Sequence, residues 1–402
     1  MNVLVVNAGS SSLKYQLFDT TANTIVAKGL CEYIGTEGNI KHGVVGKEEI
    51  KKDIPMPNHS VAMSIVVDML TDPELGCIKD INEIEAVGHR IVHGGAYFSE
   101  SVLVNDEVLA KLNLCLDVAP LHTAAHIMGI VGCMDVMKDV PQVLVFDTGF
   151  HQTMPEKAYM YPIPFELYEK YQIRRYGFHG TSHKYVSGEM CKILGKVDGT
   201  KMITCHLGNG SSISAIKDGK VIDTSMGFTP LEGVEMGTRC GSMDPAIVTF
   251  IMEKENFTPA EMNNFMNKQC GFLGVSGISH DSREIEEAIV EGNEKAKLTA
   301  NILTYQIQKY IGSYTAAMNG LDALVFTAGI GENNPQLRER VCKNMEYFGI
   351  EIDNELNAKI LRQSNIVKLS TPASKVEVYV IPTNEELVIA FDTERLAKTV
   401  LA

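Results

Sequence analysis

Two arginines stand in glycine-rich settings that a solvated surface cation does not need. Arg90 lies in Gly88-His89-Arg90-Ile91-Val92-His93-Gly94-Gly95, and Arg239 in Gly237-Thr238-Arg239-Cys240-Gly241. Glycines let the backbone approach a ligand closely, and a guanidinium is a planar fork matched to carboxylate or phosphoryl oxygens. Both segments therefore point to oxyanion recognition, with a structural salt bridge as the bland alternative. His179, in Tyr176-Gly177-Phe178-His179-Gly180-Thr181-Ser182-His183, precedes a predicted helix N-terminus, where an imidazole can donate to developing negative charge or merely cap the helix. Asp147 and Glu385 are the acidic candidates, since magnesium on a nucleotide needs only one or two carboxylates besides waters. Local sequence alone makes Glu385 a first-turn acid that satisfies a helix dipole.

Three glycine turns follow apolar runs. Residues 201–216 read as strand, turn and strand around Gly208-Asn209-Gly210-Ser211-Ser212, and the N-terminus repeats that grammar around Gly9-Ser10-Ser11-Ser12. The third turn, Gly329-Ile330-Gly331-Glu332-Asn333, leads towards a helix at Pro335. Such turns are expected to use positive φ at glycine and to leave backbone N–H groups facing a phosphate, although ordinary hairpin turns have the same composition. A duplicated hairpin implies two related halves, and three turns fit a nucleotide lying between two lobes. Neither a G-x-x-x-x-G-K-[ST] loop nor a strand-linked G-x-G-x-x-G is present, which disfavours the two commonest nucleotide folds. Lys14, in the strand after the first turn, is either a phosphate contact or a solvated strand lysine.

Three histidine pairs at i, i+4 (His89/His93, His122/His126 and His179/His183) raise the question of a metal. The first pair looks strand-borne, which separates the rings by roughly 13 Å at about 3.3 Å per residue. The others lack the glutamate of H-E-x-x-H, so zinc is disfavoured.

These groups must be held by a sizeable scaffold. The 402 residues, 45% hydrophobic, predict two or three globular domains. Absence of a long apolar run or a basic leader predicts a cytoplasmic chain without a membrane span. Nine cysteines without a C-x-x-C pair predict reduced thiols. A net charge of −14 without a basic run excludes nucleic acid as an expected partner, so phosphate must be met by a few placed cations. Helical spacing is read over 59–70, 105–116 and 120–137, after Thr181 as far as Gly195, after Asp244-Pro245 and over 293–318. Strands are read over 86–92, 142–146 and 323–327. Thr258-Pro259-Ala260-Glu261 spells a capping box, Thr383 with Glu386 suggests another for the last helix, and the Pro-dotted 155–164 stretch is the candidate domain crossing. The alternation implies an α/β sheet with ligands at strand carboxyl ends, where Asp147 falls.

Taken together, Asn7-Ala8-Gly9-Ser10-Ser11-Ser12-Leu13-Lys14, Gly88–Gly95, Asp147 with Phe150-His151-Gln152-Thr153-Met154-Pro155, Tyr176–His183, His206–Ser212, Gly237–Gly241, Ala328–Asn333 and Pro382-Thr383-Asn384-Glu385-Glu386 resemble the acetate kinase family along the whole chain. The resemblance implies two duplicated actin-like (ribonuclease H-like, βββαβαβα) α/β domains with an interdomain active-site cleft. Residues 1–150, completed by a helix over 384–402, would form one domain; residues 151–383 would form a second, nucleotide-binding and dimerising one. It implies a homodimer and the reversible, Mg²⁺- or Mn²⁺-dependent reaction of ATP with acetate, or another short-chain carboxylate, giving ADP and acetyl phosphate. By position, Arg90, Asp147, His179 and Arg239 would be catalytic, and Asn7, Asp147 and Glu385 would serve the metal. Val92, Leu121, His122, Phe178 and Pro230, with Arg90, would surround the acyl group. Asn7, Ser10, Ser12, Lys14, His206, Gly208, Asn209, Gly210, Asp281, Ser282, Arg283, Gly329, Ile330, Gly331 and Asn333 would bind nucleotide. The chain departs from the family pattern at His122-Thr123-Ala124-Ala125-His126, in place of His-Asn-Pro-Pro-Asn, at Gly149 in place of alanine, and at Ser282 in place of an aromatic. These departures bear on acyl-chain and nucleotide preference. A propionate kinase is the near alternative, and a nucleotide-switch protein of the same fold the distant one.

Overall fold

The structure is a computed structural model that describes residues 1–117, 119–361 and 364–401; the side chains of Asp117, Pro120 and Leu121 lie outside this description, and with the last of them one residue expected at the acyl group. The chain forms two compact units, Met1–Phe150 with Asn384–Ala402, and His151–Thr383. The Pro-dotted 155–164 stretch falls wholly inside the second.

In the first unit, β1 (Asn2–Ala8), β2 (Ser12–Asp19), β3 (Thr24–Glu32), β4 (Asn39–Val44), β5 (Ile50–Asp53), β6 (Ala86–Ile91), β7 (Val102–Leu103) and β8 (Gln142–Phe146) form one sheet in the order β5-β4-β3-β2-β1-β6-β8-β7. β1 to β3 are an antiparallel meander, whereas β1, β6 and β8 run parallel. In the second unit, β9 (Lys201–Leu207), β10 (Ser211–Lys217), β11 (Lys220–Thr224), β12 (Ala323–Thr327), β13 (Val367–Lys368) and β14 (Glu377–Val380) follow the order β11-β10-β9-β12-β14-β13. Its meander β9–β10–β11 and parallel trio β9, β12 and β14 repeat the first pattern. The βββαβαβα duplication is thus present in both units, with β4, β5 and β7 added to one and β13 to the other.

Alternation of side chains divides the first sheet between cores on its two faces. On one face of the first sheet, Leu4, Val6, Leu13 and Leu17 pack with Met63, Val66 and Leu70 of helix His59–Thr71. On the other, Val3, Val5, Val143 and Val145 pack with Ile389 and Ala390 of the last helix, Glu385–Leu401. That helix lies so close that a Cβ built on Gly88 would meet Thr393 Oγ1 at 2.2 Å. The acceptor for its first turn is Asn384, whose Oδ1 takes the Leu387 N–H; the Thr383 N–H instead donates to Glu332 Oε1. The box expected from Thr383 and Glu386 is therefore replaced by an Asn cap. Thr258, by contrast, makes the full box with Glu261.

Gly88→Ala should cost about 1–3 kcal/mol of stability through overpacking, seen as a lower denaturation midpoint; wild-type stability would contradict the packing. In the second unit, Glu235 is 2% exposed and its Oε1 has no partner among the described residues. Burial pushes its carboxyl up to about 8. The folded chain then keeps a proton that the unfolded chain releases, so the contribution is intact below the ordinary value of 4.5 and is lost as pH rises from there to about 8, at roughly 1.4 kcal/mol per pH unit. Glu235→Gln should remove this slope from urea-midpoint measurements across that range, and an unchanged slope would count against it.

Candidate active site

In the first unit, parallel pairing sets Arg90 beside Val145 and Ile91 beside Phe146, so the next residue of β8, Asp147, emerges next to the guanidinium. The Asp147 N–H donates to Ile91 O at 2.8 Å, which anchors that residue's backbone. Arg90 Nε donates to Oδ1 at 3.1 Å and Nη2 to Oδ2 at 2.7 Å, a bidentate pair with Asp147 only 2% exposed. Glu385 Oε2 lies 3.9 Å from the same Nη2. Asp147 above all, then Glu385 and Glu386, hold Arg90 firmly protonated. Glu385 is thus drawn to the same cation as Asp147, which a dipole-satisfying helix acid need not be. The donors gathered there are hard carboxylate oxygens, suited to magnesium or manganese. No group of three His, Cys, Asp or Glu that could hold a metal occurs among the described residues.

The first turn is held from behind. The Gly9 N–H donates to Ser12 O at 2.8 Å and Gly9 O is 2.8 Å from His59 Nε2. Asn7 stands opposite Lys14 in the β1–β2 register, Ser10 is exposed, and Lys14 Nζ is paired with Glu386 Oε1 at 2.5 Å. Val92 donates its N–H to His126 Nε2 at 3.3 Å, and burial with the nearby His122 depresses the His126 ring to about 3. His122 is exposed; Thr123, at the departure from the family pattern, lies in helix Pro120–Val136 and donates its N–H to Ala119 O.

In the second unit, the β9–β10 turn does not work as expected. Neither Gly208 nor Gly210 has positive φ, and the Gly208 N–H is spent inside the turn on Gly210 O and Ser211 Oγ. What Gly210 supplies is the missing side chain: a Cβ there would stand 3.5 Å from both Arg239 Nη1 and His179 Nε2. Arg239 Nη1 donates to Pro230 O at 2.8 Å, and no carboxylate pairs with this arginine among the described residues. Its charge is left for a ligand. His179 adopts φ +59, the left-handed region, as the residue before helix Gly180–Leu194, and its ring stacks on His206 with centroids 4.0 Å apart. Phe178 is buried at 2% exposure.

Beside this cation lies a cavity of about 880 Å³, lined by Gly208, Asn209, Asp281, Ser282, Arg283, Gly329, Ile330 and Asn333, together with His280, Glu286, Glu287, Asn334, Gln336 and Leu361. Eight of the residues expected to bind nucleotide thus share one wall, and the volume suits a nucleotide. His206, Gly210 and Gly331 are not in that lining. Gly331 instead gives its carbonyl to Nη1 of Arg338, a fully buried arginine that also reaches Asn357 and Ile360 O. The 329–333 segment is a helical turn, Ala328–Asn333, entered through Ala328 at φ +64, with Glu332 Oε1 accepting the Ala328 N–H. Arg338 and Glu332 went unread because a buried arginine without an acid looks, in sequence, like any surface helix arginine. A readable signal did exist for the histidine cluster: Thr204 and His206 pair across to Ser214 and Ser212, a polar stripe at every second position of otherwise apolar strands.

A duplicated actin-like fold with a nucleotide-sized cavity and placed guanidinium groups defines an α/β protein of the phosphotransferase class. The acetokinase family model matches residues 2–391, and the chain belongs to that family. Acetate kinase from Thermoanaerobacter pseudethanolicus is 55% identical over 401 residues, 99% of each chain, and that from Methanosarcina barkeri 54% over 402 residues, 99% of this chain and 98% of that one. Among solved structures, Porphyromonas gingivalis acetate kinase superposes with a TM-score of 0.94 at 47% identity, and a propionate kinase from Francisella tularensis with 0.90 at 41%, each covering 98% of this chain and 99% of the other.

Arg90→Lys keeps the charge but loses the fork onto Asp147, and should lower kcat at least tenfold, by analogy with other lost transition-state contacts, with the denaturation midpoint little changed. Wild-type kcat in steady-state assays would remove the bidentate geometry from the account.

Proposed function

We propose that this chain phosphorylates acetate with ATP, reversibly, giving ADP and acetyl phosphate. The observation that carries this reading is the β9–β10 turn: its Gly208 and Asn209 line the nucleotide-sized cavity, while its Gly210 faces Arg239 and His179. Acetate is already an oxygen nucleophile. The reaction forms a bond from its oxygen to the γ-phosphorus, breaks the bond to the β–γ bridging oxygen, and requires no proton abstraction. Catalysis is then in-line positioning and charge neutralisation.

Arg239 and His179 donate to the equatorial oxygens of the transferring group. Arg90, braced by Asp147, orients the carboxylate, and by family position Val92, His122, Phe178 and Pro230 are the residues assigned to the methyl group. Asp147 and Glu385, with Asn7, would be the oxygen donors for Mg²⁺ or Mn²⁺. When bound there, such an ion would supply neutralisation of charge on the nucleotide phosphates. Asn209, Asp281, Ser282, Arg283, Gly329, Ile330 and Asn333 hold ATP, with Ser10, Ser12 and Lys14 towards its phosphates.

The chain is expected to act in the cytoplasm; no described helix is long and apolar enough to cross a membrane. It is expected to be a homodimer through its second unit, where Phe250 at 60% exposure and Tyr305 at 63% stand out on helices Ala246–Glu255 and Glu294–Met318.

A kcat/KM series over acetate, propionate and butyrate with MgATP tests the acceptor. Acetate should lead, by the 10–200-fold that one methylene can provide. Preference for propionate would reassign the substrate, and no transfer to any of them would sink the reading.

A further inference from the structure

Ser212 Oγ lies 2.9 Å from His179 Nδ1 and 2.7 Å from His183 Nε2, and His183 Nδ1 lies 2.7 Å from Thr204 Oγ1. Ser212, His183 and Thr204 are all fully buried. Burial, with His151 edge-on at 5.5 Å and His206 at 6.1 Å, holds the His183 ring neutral, so it carries a single N–H. A serine hydroxyl also has one proton, so Ser212 donates to one ring and accepts from the other. The protons on the two rings are therefore correlated, and two arrangements satisfy every distance.

In one, the Thr204 hydroxyl donates to His183 Nδ1, the His183 Nε2–H donates to Ser212, and the Ser212 hydroxyl donates to His179 Nδ1. A neutral His179 then carries its proton on Nε2. In the reverse arrangement, His179 donates from Nδ1, and Nε2 presents a lone pair unless the ring becomes a cation. Arg239 separates the two, because Nη1 and His179 Nε2 approach the same point at Gly210, each within 3.5 Å of it. A guanidinium there opposes a second positive charge, and a lone pair would repel a phosphoryl oxygen. His206 stacks on His179, and its Nδ1 lies 2.7 Å from Ser182 Oγ.

We propose that Thr204, His183 and Ser212 form a directional hydrogen-bond relay that fixes the proton of His179 on Nε2, making this residue a neutral N–H donor for the transferring group. All three are positioning residues, acting through His179 as the outer partners of a metal-bound histidine act through that ligand. The inference rests on the reading of His179 given above, and it extends that reading to atoms that touch no substrate.

Nitrogen-15 NMR of the histidine-labelled chain, assigned with His179→Asn, reads the tautomer without any assay of turnover. The wild type should show a protonated Nε2 and an unprotonated Nδ1 on His179; the opposite assignment overturns the relay. Thr204→Val, nearly isosteric, deprives His183 Nδ1 of its hydroxyl partner and should lower kcat with the KM values for ATP and acetate unchanged, and Thr204→Ser should restore kcat. Ser212→Ala should lower kcat about 10–100-fold, the range typical of lost outer partners. Wild-type kcat in both Thr204→Val and Ser212→Ala would also overturn the proposal. Failure of the wild type to phosphorylate any carboxylate would sink the functional reading instead, while the NMR assignment would still decide the relay.

Discussion

The constraint on which the rest depends is charge. A chain with a net charge of −14 must hold a polyanionic nucleotide and a carboxylate, and it must do so with very few cations. The fold answers by treating Arg90 and Arg239 oppositely. Arg90 is neutralised and aimed by a buried carboxylate, so its position is fixed at the cost of net charge. Arg239 is held by the Pro230 carbonyl and the Met236 thioether, neutral acceptors that orient the fork and leave its charge without a carboxylate among the described residues. Burying an arginine without an acid is costly, and burial does depress its basicity; the cost is recovered only when an anion arrives. Arg338 shows the structural use of the same device, since its guanidinium meets carbonyls and an amide and ties the Ala328–Asn333 turn to the segment around Asn357.

Duplication explains how such groups come to be placed. Both sheets start with an antiparallel hairpin whose turn carries Gly and Ser, and both continue with parallel strands whose carboxyl ends carry functional residues. The two copies have diverged in use. The Gly9 turn is braced by His59, whereas the Gly208–Ser212 turn faces a cation and an imidazole. The parallel β6 leads to Arg90, and its counterpart β12 leads to the strained Ala328 and the nucleotide-sized cavity.

Much of this was legible in the sequence. Hydrophobic periodicity located β8 over Gln142–Phe146 and helix Glu294–Met318 nearly to the residue, because long or fully buried segments leave strong patterns. The glycine settings of Arg90 and Arg239 revealed polar chemistry without revealing partners, since the Arg90–Asp147 pair spans 57 positions and exists only through strand register. Gly208 and Gly210 were legible as a turn, but their use was not: φ is ordinary, and what matters is the room a side chain would have filled. The Thr383 box failed for a similar reason, because Glu332 drew that N–H away through tertiary contact. The tautomer relay could not be read from i, i+4 spacing alone; it needs the strand pairing that sets Thr204 and His206 against Ser214 and Ser212.

The claim that a single uncompensated guanidinium serves the transferring phosphoryl group is tested most directly by the kinetics of Arg239→Ala with saturating MgATP and acetate. The variant should show kcat about a hundredfold lower or more, as for loss of one preorganised electrostatic contact, with the KM for ATP little changed. An unaffected kcat would contradict it.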